Sequence, residues 1–156
     1  EKYPDLSIRI CEANTEGIVA KVESSMIDLG IVEAPVLNQD LDVEVFRADE
    51  LVLITHPKHE LAKKNFVKPT DFEDLPFITR EEGSGTKSVI FDYFSKHNID
   101  KNRINVCMEL GNSESVKGAV ETGIGISILS KTSIEKELEL NRLSFVPLNP
   151  KLTRNF

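Results

Sequence analysis

Cysteine, histidine and tryptophan are scarce in this sequence of 156 residues, which has two, three and none of them. Cys11 and Cys107 lie far apart, without a CxxC pair, and no histidine stands at metal-ligand spacing from a cysteine or carboxylate. We therefore expect no metal, no cofactor, and unpaired thiols in a reducing compartment. No run of about 18 apolar residues is present, so no segment is expected to span a membrane.

Positive charge is also scarce. The 19 Lys and Arg residues against 26 Asp and Glu give a net charge of −7, and the cations form no stripe. Neutralising phosphates requires clustered cations, so the chain alone is not expected to bind nucleic acid. The length fits one ordinary domain or two small lobes.

Catalytic motifs are incomplete. The stretch 83–88, GSGTKS, lacks the outer glycine and the Gly-Lys pair of a nucleotide-hydrolase phosphate loop. The stretch 111–115, GNSES, lacks the last glycine of a nucleophile elbow, and 123–128, GIGISI, lacks the third glycine of a dinucleotide fingerprint. The adjacent Glu81 and Glu82 are typical of a solvated loop. We expect no enzyme, and an acyl or phosphoryl transferase using this loop is a minor alternative.

Short apolar runs alternate with helical patterns along the chain. The patterns predict strands at 6–10, 28–32, 43–46, 51–55, 76–79, 104–110, 126–129 and 143–148. They also predict a helix capped by Asn14 or Thr15, one turn capped by Thr70, a helix from the glycine stretch to about 97, one from Ser113 to a stop at Gly123, and one over 132–141. This alternation favours an α/β fold of mostly parallel sheets with helices on both faces.

Three of the predicted strand-to-helix turns carry Ser, Thr or Asn where backbone N–H groups are free: 12–16, EANTE; 81–88, EEGSGTKS; and 110–115, LGNSES. A helix N-terminus attracts anions, and ligands of open α/β sheets lie beyond the carboxyl ends of the strands. Each turn alone is equally consistent with a plain capped helix. If the three converge, they form a small-anion pocket.

Four segments in order resemble the effector-binding domain of LysR-type transcriptional regulators. They are 2–32, with Tyr3-Pro4-Asp5, a strand, a capped helix and DLGIV; 48–62, ADELVLITHPKHELA; 70–86, TDFEDLPFITREEGSGT; and 112–131, NSESVKGAVETGIGISILSK. Glu60 and Lys131 stand where that family commonly has proline. The resemblance covers essentially the whole chain.

The resemblance implies a two-lobed fold like that of type 2 periplasmic binding proteins, in which the chain crosses twice between lobes. It places residues 1–56 plus 149–156 in lobe I, which would be incomplete, and residues 57–148 in lobe II. Effectors of such proteins bind between the lobes. Carried over by position, the ligand-binding residues are Asn14, Thr15, Gly83, Ser84, Gly85, Thr86, Asn112 and Ser113.

The function implied is that of an effector-sensing regulatory domain in a cytoplasmic bacterial transcription regulator, binding a small anionic metabolite of the sulfate, phosphate or carboxylate type. The sequence reads as a fragment, without the winged helix-turn-helix through which the intact protein would bind DNA. Dimers or tetramers are expected. The alternative is an extracytoplasmic solute-binding protein of the same fold. A leader or a helix-turn-helix ahead of this segment would discriminate the two.

Overall fold

The computed structural model describes residues 6–36 and 38–156, so the Tyr3-Pro4-Asp5 motif lies outside the described residues. Its α-helices and β-strands alternate along most of the chain. In chain order they are α1 Thr15–Glu23, β1 Ala48–Thr55, β2 Phe77–Arg80, α2 Gly85–Lys96, β3 Val106–Leu110, α3 Ser113–Glu121, β4 Ser127–Ser130, α4 Glu135–Glu139, β5 Ser144–Val146 and β6 Leu152–Asn155.

Strand β1 organises the larger sheet. Its first half, Ala48 to Leu51, pairs with β6, and its second half pairs with β4 on one side and β5 on the other. All three pairings are antiparallel. The strand is apolar from Leu51 to Ile54 and fully buried there, as expected for a strand covered on both faces.

The smaller sheet contains β2 and β3, which run parallel, and Phe77 forms one further parallel bridge to Ile126. The α/β class is confirmed, but the pairings described are not mostly parallel, because β1 makes only antiparallel ones. The alternation of strand and helix patterns in the sequence did not reveal the antiparallel direction of these strands. Strands β4, β5 and β6 return to β1 in the reverse direction through short helical turns and loops.

Helices cover both faces of this assembly. Alternate residues of β1 divide between two apolar clusters, with Leu51 and Leu53 in one and Val52 and Ile54 in the other. Helix α2 contributes to the first cluster, where Phe94 meets the rings of Phe72, Phe77, Phe91 and Tyr93 at centroid distances of 5.6–6.2 Å. Helix α3 contributes Val116 and Val120 to the second.

Three predicted strands are not formed. Residues 6–10, 28–32 and 43–46 have no strand conformation, and their apolar side chains are exposed except for the half-buried Val32, with Ile10 at 86 %. Apolar alternation stabilises a strand only where a neighbouring strand and an apolar cover exist. No ladder partner for these segments occurs among residues 6–36 and 38–156.

Two predicted caps are displaced by one or two residues. Thr70 lies inside the 3₁₀ turn Pro69–Phe72, because Pro69 fixes the backbone at its first position and Asp71 accepts a hydrogen bond from the Lys68 N–H at 2.7 Å. Helix α3 is capped by Asn112 rather than Ser113. The helix predicted over 132–141 is a 3₁₀ turn, Thr132–Ile134, followed by the short α4.

Candidate functional site

The N-terminus of α1 meets the loop that leads into α2. Asn14 caps α1 by accepting from the Gly17 N–H at 2.9 Å, and its amide nitrogen donates to the Glu82 carbonyl at 3.2 Å. The Glu16 N–H donates to the Gly83 carbonyl at 3.5 Å. Two turns that lie about 70 residues apart in the sequence are therefore in direct contact.

This close approach explains the glycines of the loop. Gly83 has a φ of +78°, which favours glycine. A Cβ at Gly85 would lie 2.5 Å from Thr15 Oγ1 and 2.9 Å from the Ala34 Cβ, so any side chain there would collide with the opposite wall. Gly85 is therefore required by packing against Thr15 and Ala34, whereas Gly83 is favoured by its backbone conformation.

Helix α2 presents free backbone donors at this junction. Ser84 caps the helix by accepting from the Lys87 N–H at 3.4 Å. The N–H groups of Gly85 and Thr86 have no acceptor among the residues that the structure describes. Both residues are buried, and unpaired N–H groups at a helix start favour an anion by about 0.3–1 kcal/mol, or about 2 kcal/mol when partly buried.

Two adjacent cavities share this junction as their common wall. The larger has a volume of about 490 Å³. The smaller has a volume of about 140 Å³. Thr15, Ser84 and Gly85 line both cavities. The larger lies within the size range of small-molecule sites, and the smaller suits a group of a few atoms.

Arg80, the last residue of β2, links the junction to the third predicted turn. Its guanidinium donates to the Ser113 hydroxyl at 3.1 Å and to the Gly111 carbonyl at 3.4 Å. It also forms a two-point ion pair with Glu81, at 2.8 and 3.0 Å. Burial raises the pKa of Glu81, but the Arg80 hydrogen bond and charge outweigh burial, so the pKa lies below its usual value.

Lys87 brings a positive charge to the larger cavity, and two carboxylates hold its ammonium group. Its Nζ lies 2.6 Å from Glu82 Oε1 and 2.7 Å from Glu109 Oε2. Burial lowers the pKa of Lys87, but the hydrogen bonds to Glu109 and Glu82 outweigh burial and raise it. The ammonium therefore stays charged and is already paired.

A buried polar network lies beneath the smaller cavity. Arg154 of β6 donates to Asp49 of β1 at 3.0 Å, to the Thr86 hydroxyl at 2.8 Å and to Glu33 at 2.9 Å. Thr86 in turn donates to Glu33 at 2.6 Å, and Ser130 donates to Asp49 at 2.8 Å. One guanidinium thus connects β1, β6, the first turn of α2 and the segment that carries Glu33.

The eight residues predicted from sequence fall into three places. Five line the two cavities, namely Asn14, Thr15, Gly83, Ser84 and Gly85. Thr86 is buried beneath them in the Arg154 network. Asn112 and Ser113 line neither cavity; Ser113 reaches the junction through Arg80, whereas Asn112 caps α3.

Sequence reasoning missed Arg80, Glu33 and Arg154. Arg80 carried a signal, since a charged residue directly after the buried run Phe77-Ile78-Thr79 stands at the carboxyl end of a strand. Glu33 and Arg154 lie 121 positions apart, and nothing local in the sequence connects them. Within the described ranges, no helix is long and apolar enough to cross a membrane, and no cluster of three metal-ligating side chains occurs.

Comparison with known proteins gives one family. Among curated relatives, the HTH-type transcriptional regulator YeiE of Escherichia coli K12 is 38% identical over 157 residues, covering 97% of this chain and 51% of its own length. The RuBisCO operon transcriptional regulator of Allochromatium vinosum is 32% identical over 143 residues, covering 92% of this chain and 46% of its own length. The chain spans about half the length of the curated relatives it matches.

A solved structure gives the same result. The regulatory domain of Synechocystis PCC6803 CcmR in complex with 2-PG matches with a TM-score of 0.88 and 32% identity, covering 99% of this chain and 73% of that chain. The model of the LysR substrate binding domain matches residues 1–156. The two-lobed type 2 fold class and the resemblance are thereby confirmed. The chain belongs to the family of LysR substrate-binding domains.

Proposed function

We propose that this chain is the effector-sensing domain of a cytoplasmic transcription regulator, which binds a small anion between the N-termini of α1 and α2. The observation that carries the proposal is that the N–H groups of Gly85 and Thr86 have no acceptor among the described residues and stand at the start of α2, where Ser84 and Gly85 line two cavities. The curated relatives are named as transcriptional regulators, which supports this function over an extracytoplasmic solute-binding protein and over an enzyme.

The ligand class follows from the donors. The junction offers backbone N–H groups, the hydroxyls of Thr15 and Ser84, and the Arg80 guanidinium, and all of these can donate to oxygen. The CcmR regulatory domain, 32% identical to this chain, was solved with 2-PG, 2-phosphoglycolate, which carries a phosphate and a carboxylate. Phosphate, sulfate or carboxylate groups are the proposed ligands.

We propose the lobe division on the basis of β1 and β6. These strands pair over Ala48–Leu51 and Leu152–Asn155, as expected if each of them carries one of the two chain crossings between the lobes. The division predicted from sequence is 1–56 plus 149–156 against 57–148. The pairing of residues 51–55 with β4 and β5 favours a first crossing a few residues earlier, near Glu50. Anion binding would shift the angle between the lobes, because a ligand favours the arrangement to which it binds more tightly.

In the intact protein, dimers or tetramers would carry this change to an N-terminal winged helix-turn-helix that contacts DNA. A coupling of about 1–3 kcal/mol between effector and DNA binding would suffice. The relatives extend over about twice the length of this chain, which leaves room for such a segment.

Calorimetric titration with 2-phosphoglycolate, inorganic phosphate and sulfate tests the site. Thr15→Val keeps the shape of the side chain and removes its hydroxyl, so affinity falls about tenfold or more if that hydroxyl donates to a charged ligand. Thr122→Val, at the exposed C-terminus of α3, is the matched control and leaves affinity unchanged. Absence of binding by every anion, or equal affinity in both variants, contradicts the proposal.

A further inference from the structure

The smaller cavity already holds a carboxylate of the chain itself, that of Glu33. The Oε2 atom of Glu33 accepts from the Thr86 hydroxyl and from Arg154 Nη1, at 2.6 and 2.9 Å. Thr86 and Arg154 are almost completely buried, with the Arg154 side chain 4% exposed. These two donors form a built oxyanion-binding arrangement beneath the site proposed above, and Glu33 occupies it.

Glu33 is held much less firmly than the other carboxylate of the network. Asp49 is 3% exposed in its side chain, stands opposite Arg154 in the β1–β6 ladder, and receives a second hydrogen bond from Ser130. Glu33 lies in a segment without regular structure, its side chain is 37% exposed, and no described residue donates to its Oε1 atom. Water can reach it, so its displacement needs no rearrangement of the core.

An incoming anion meets Glu33 directly. Glu33, Thr15, Ser84 and Gly85 all line the smaller cavity, and the free N–H groups of Gly85 and Thr86 adjoin the Thr86 hydroxyl. A phosphate or carboxylate bound there would approach a fixed negative charge, and like charges at close range repel each other. Ligand and Glu33 also require the same donor atoms.

We propose that Glu33 is a resident competitor of the effector: an anionic ligand displaces the Glu33 carboxylate and takes over Thr86 and Arg154 as donors. This inference rests on the proposed function and adds Arg154 to its ligand contacts. It also supplies a route for regulation. Arg154 belongs to the β1–β6 ladder, so the exchange releases the segment around Glu33 from the two strands that connect the proposed lobes.

Removal of the competing charge should tighten anion binding, whereas removal of an ordinary hydrogen-bonding group from a site weakens it. Calorimetry with 2-phosphoglycolate and inorganic phosphate as probes measures the effect. Glu33→Gln and Glu33→Ala each bind the probe about five- to tenfold more tightly than the wild type does, because a charged competitor for the hydrogen-bonded position has been removed. The alanine variant ensures that the effect does not come from a new amide donor.

Glu139→Gln is the matched control. Glu139 is an exposed carboxylate at the end of α4, and it lines neither cavity. Salt screens exposed charges, so this variant changes affinity by less than about twofold.

A second measurement separates competition from a general change in stability. Without a probe, thermal unfolding of Glu33→Gln occurs at or below the wild-type temperature, because a charged hydrogen-bond acceptor is lost; with a saturating probe, its stabilisation exceeds that of the wild type. Equal or weaker binding by both Glu33 variants, with binding retained by the wild type, overturns the competition and leaves the proposed function standing. Failure of every form to bind either probe rejects both.

Discussion

The region of residues 6–46 and the region of residues 47–156 differ sharply in how they use apolar side chains. The second contains both apolar clusters and all six strands described. The described residues of the first form one helix and contribute a single core residue, Ile18. They also include nine of the thirteen large apolar side chains that are exposed in the described chain: Leu6, Ile8, Ile10, Met26, Leu29, Ile31, Val43, Val45 and Phe46. The difference lies in partners rather than in sequence pattern.

The segment 6–10 and strand β3 illustrate this point. Both alternate apolar and polar residues, and β3 is itself largely exposed. Strand β3 forms because β2 offers it a ladder, from Phe77 opposite Val106 to Arg80 opposite Leu110. The segment 6–10 has no such ladder within the described chain. The candidate site lies at the border between the two regions, since α1 belongs to the first and α2 to the second.

The largest expected effect comes from the aromatic cluster. Phe94→Ala removes a fully buried ring that contacts four other aromatic rings, and such a change costs about 3–5 kcal/mol of the free energy of unfolding. The same change at Phe46, which is 76% exposed, costs less than about 0.5 kcal/mol. Urea denaturation of the two variants measures both. A comparable loss for Phe46→Ala would show that the first region is packed in solution.

An intermediate effect is expected at the ion pair that joins α3 to α4. Lys117 Nζ lies 2.9 Å from Glu137 Oε1, and both side chains are almost buried. Burial raises the pKa of Glu137, but the Lys117 hydrogen bond outweighs burial, so the pKa lies below its ordinary value of 4.5. A lowered folded-state pKa contributes stability that is present above the ordinary value and is lost as the pH falls through the folded-state value.

Glu137→Gln therefore lowers the free energy of unfolding by about 1–3 kcal/mol at neutral pH, because Lys117 keeps only Glu114 and the Ser133 carbonyl as partners. As the pH falls through the lowered pKa of Glu137, where the wild type also loses the charge, the two proteins converge. Denaturant titrations between pH 7 and pH 3 measure this difference. Glu135→Gln, on the exposed face of the same helix, is the control. A difference that stays constant with pH would assign the loss to packing.

The comparison also explains which features could be predicted from sequence. Strands β2 and β3, and helices α2 and α3, carry their own signals: an apolar run for β2, apolar alternation for β3, a glycine loop before α2 and a stop at Gly123 after α3. The cap of α3 was predicted one residue late, at Ser113 instead of Asn112. Strand direction carries no such local signal, and Arg154 contacts Glu33 and Thr86 only because β6 returns beside β1. Hence the contact residues of the junction were predictable from turn chemistry, whereas the charges beneath it were not.

The smallest effect compares two caps of identical chemistry, one in each region. Asn14 accepts from the Gly17 N–H at 2.9 Å and Asn112 from the Ser115 N–H at 2.7 Å. Asn112→Ala costs about 1 kcal/mol of global stability, because α3 unfolds together with the second apolar cluster. Asn14→Ala costs less in global unfolding and instead speeds hydrogen exchange within α1, because a helix with one buried residue can open by itself. Hydrogen exchange of the two helices in both variants separates local from global opening. The opposite result would be that Asn14→Ala does not speed exchange selectively in α1 and lowers global stability as much as Asn112→Ala. In that case α1 unfolds with the core, and the two regions form one cooperative unit through the junction where Asn14 contacts Glu82.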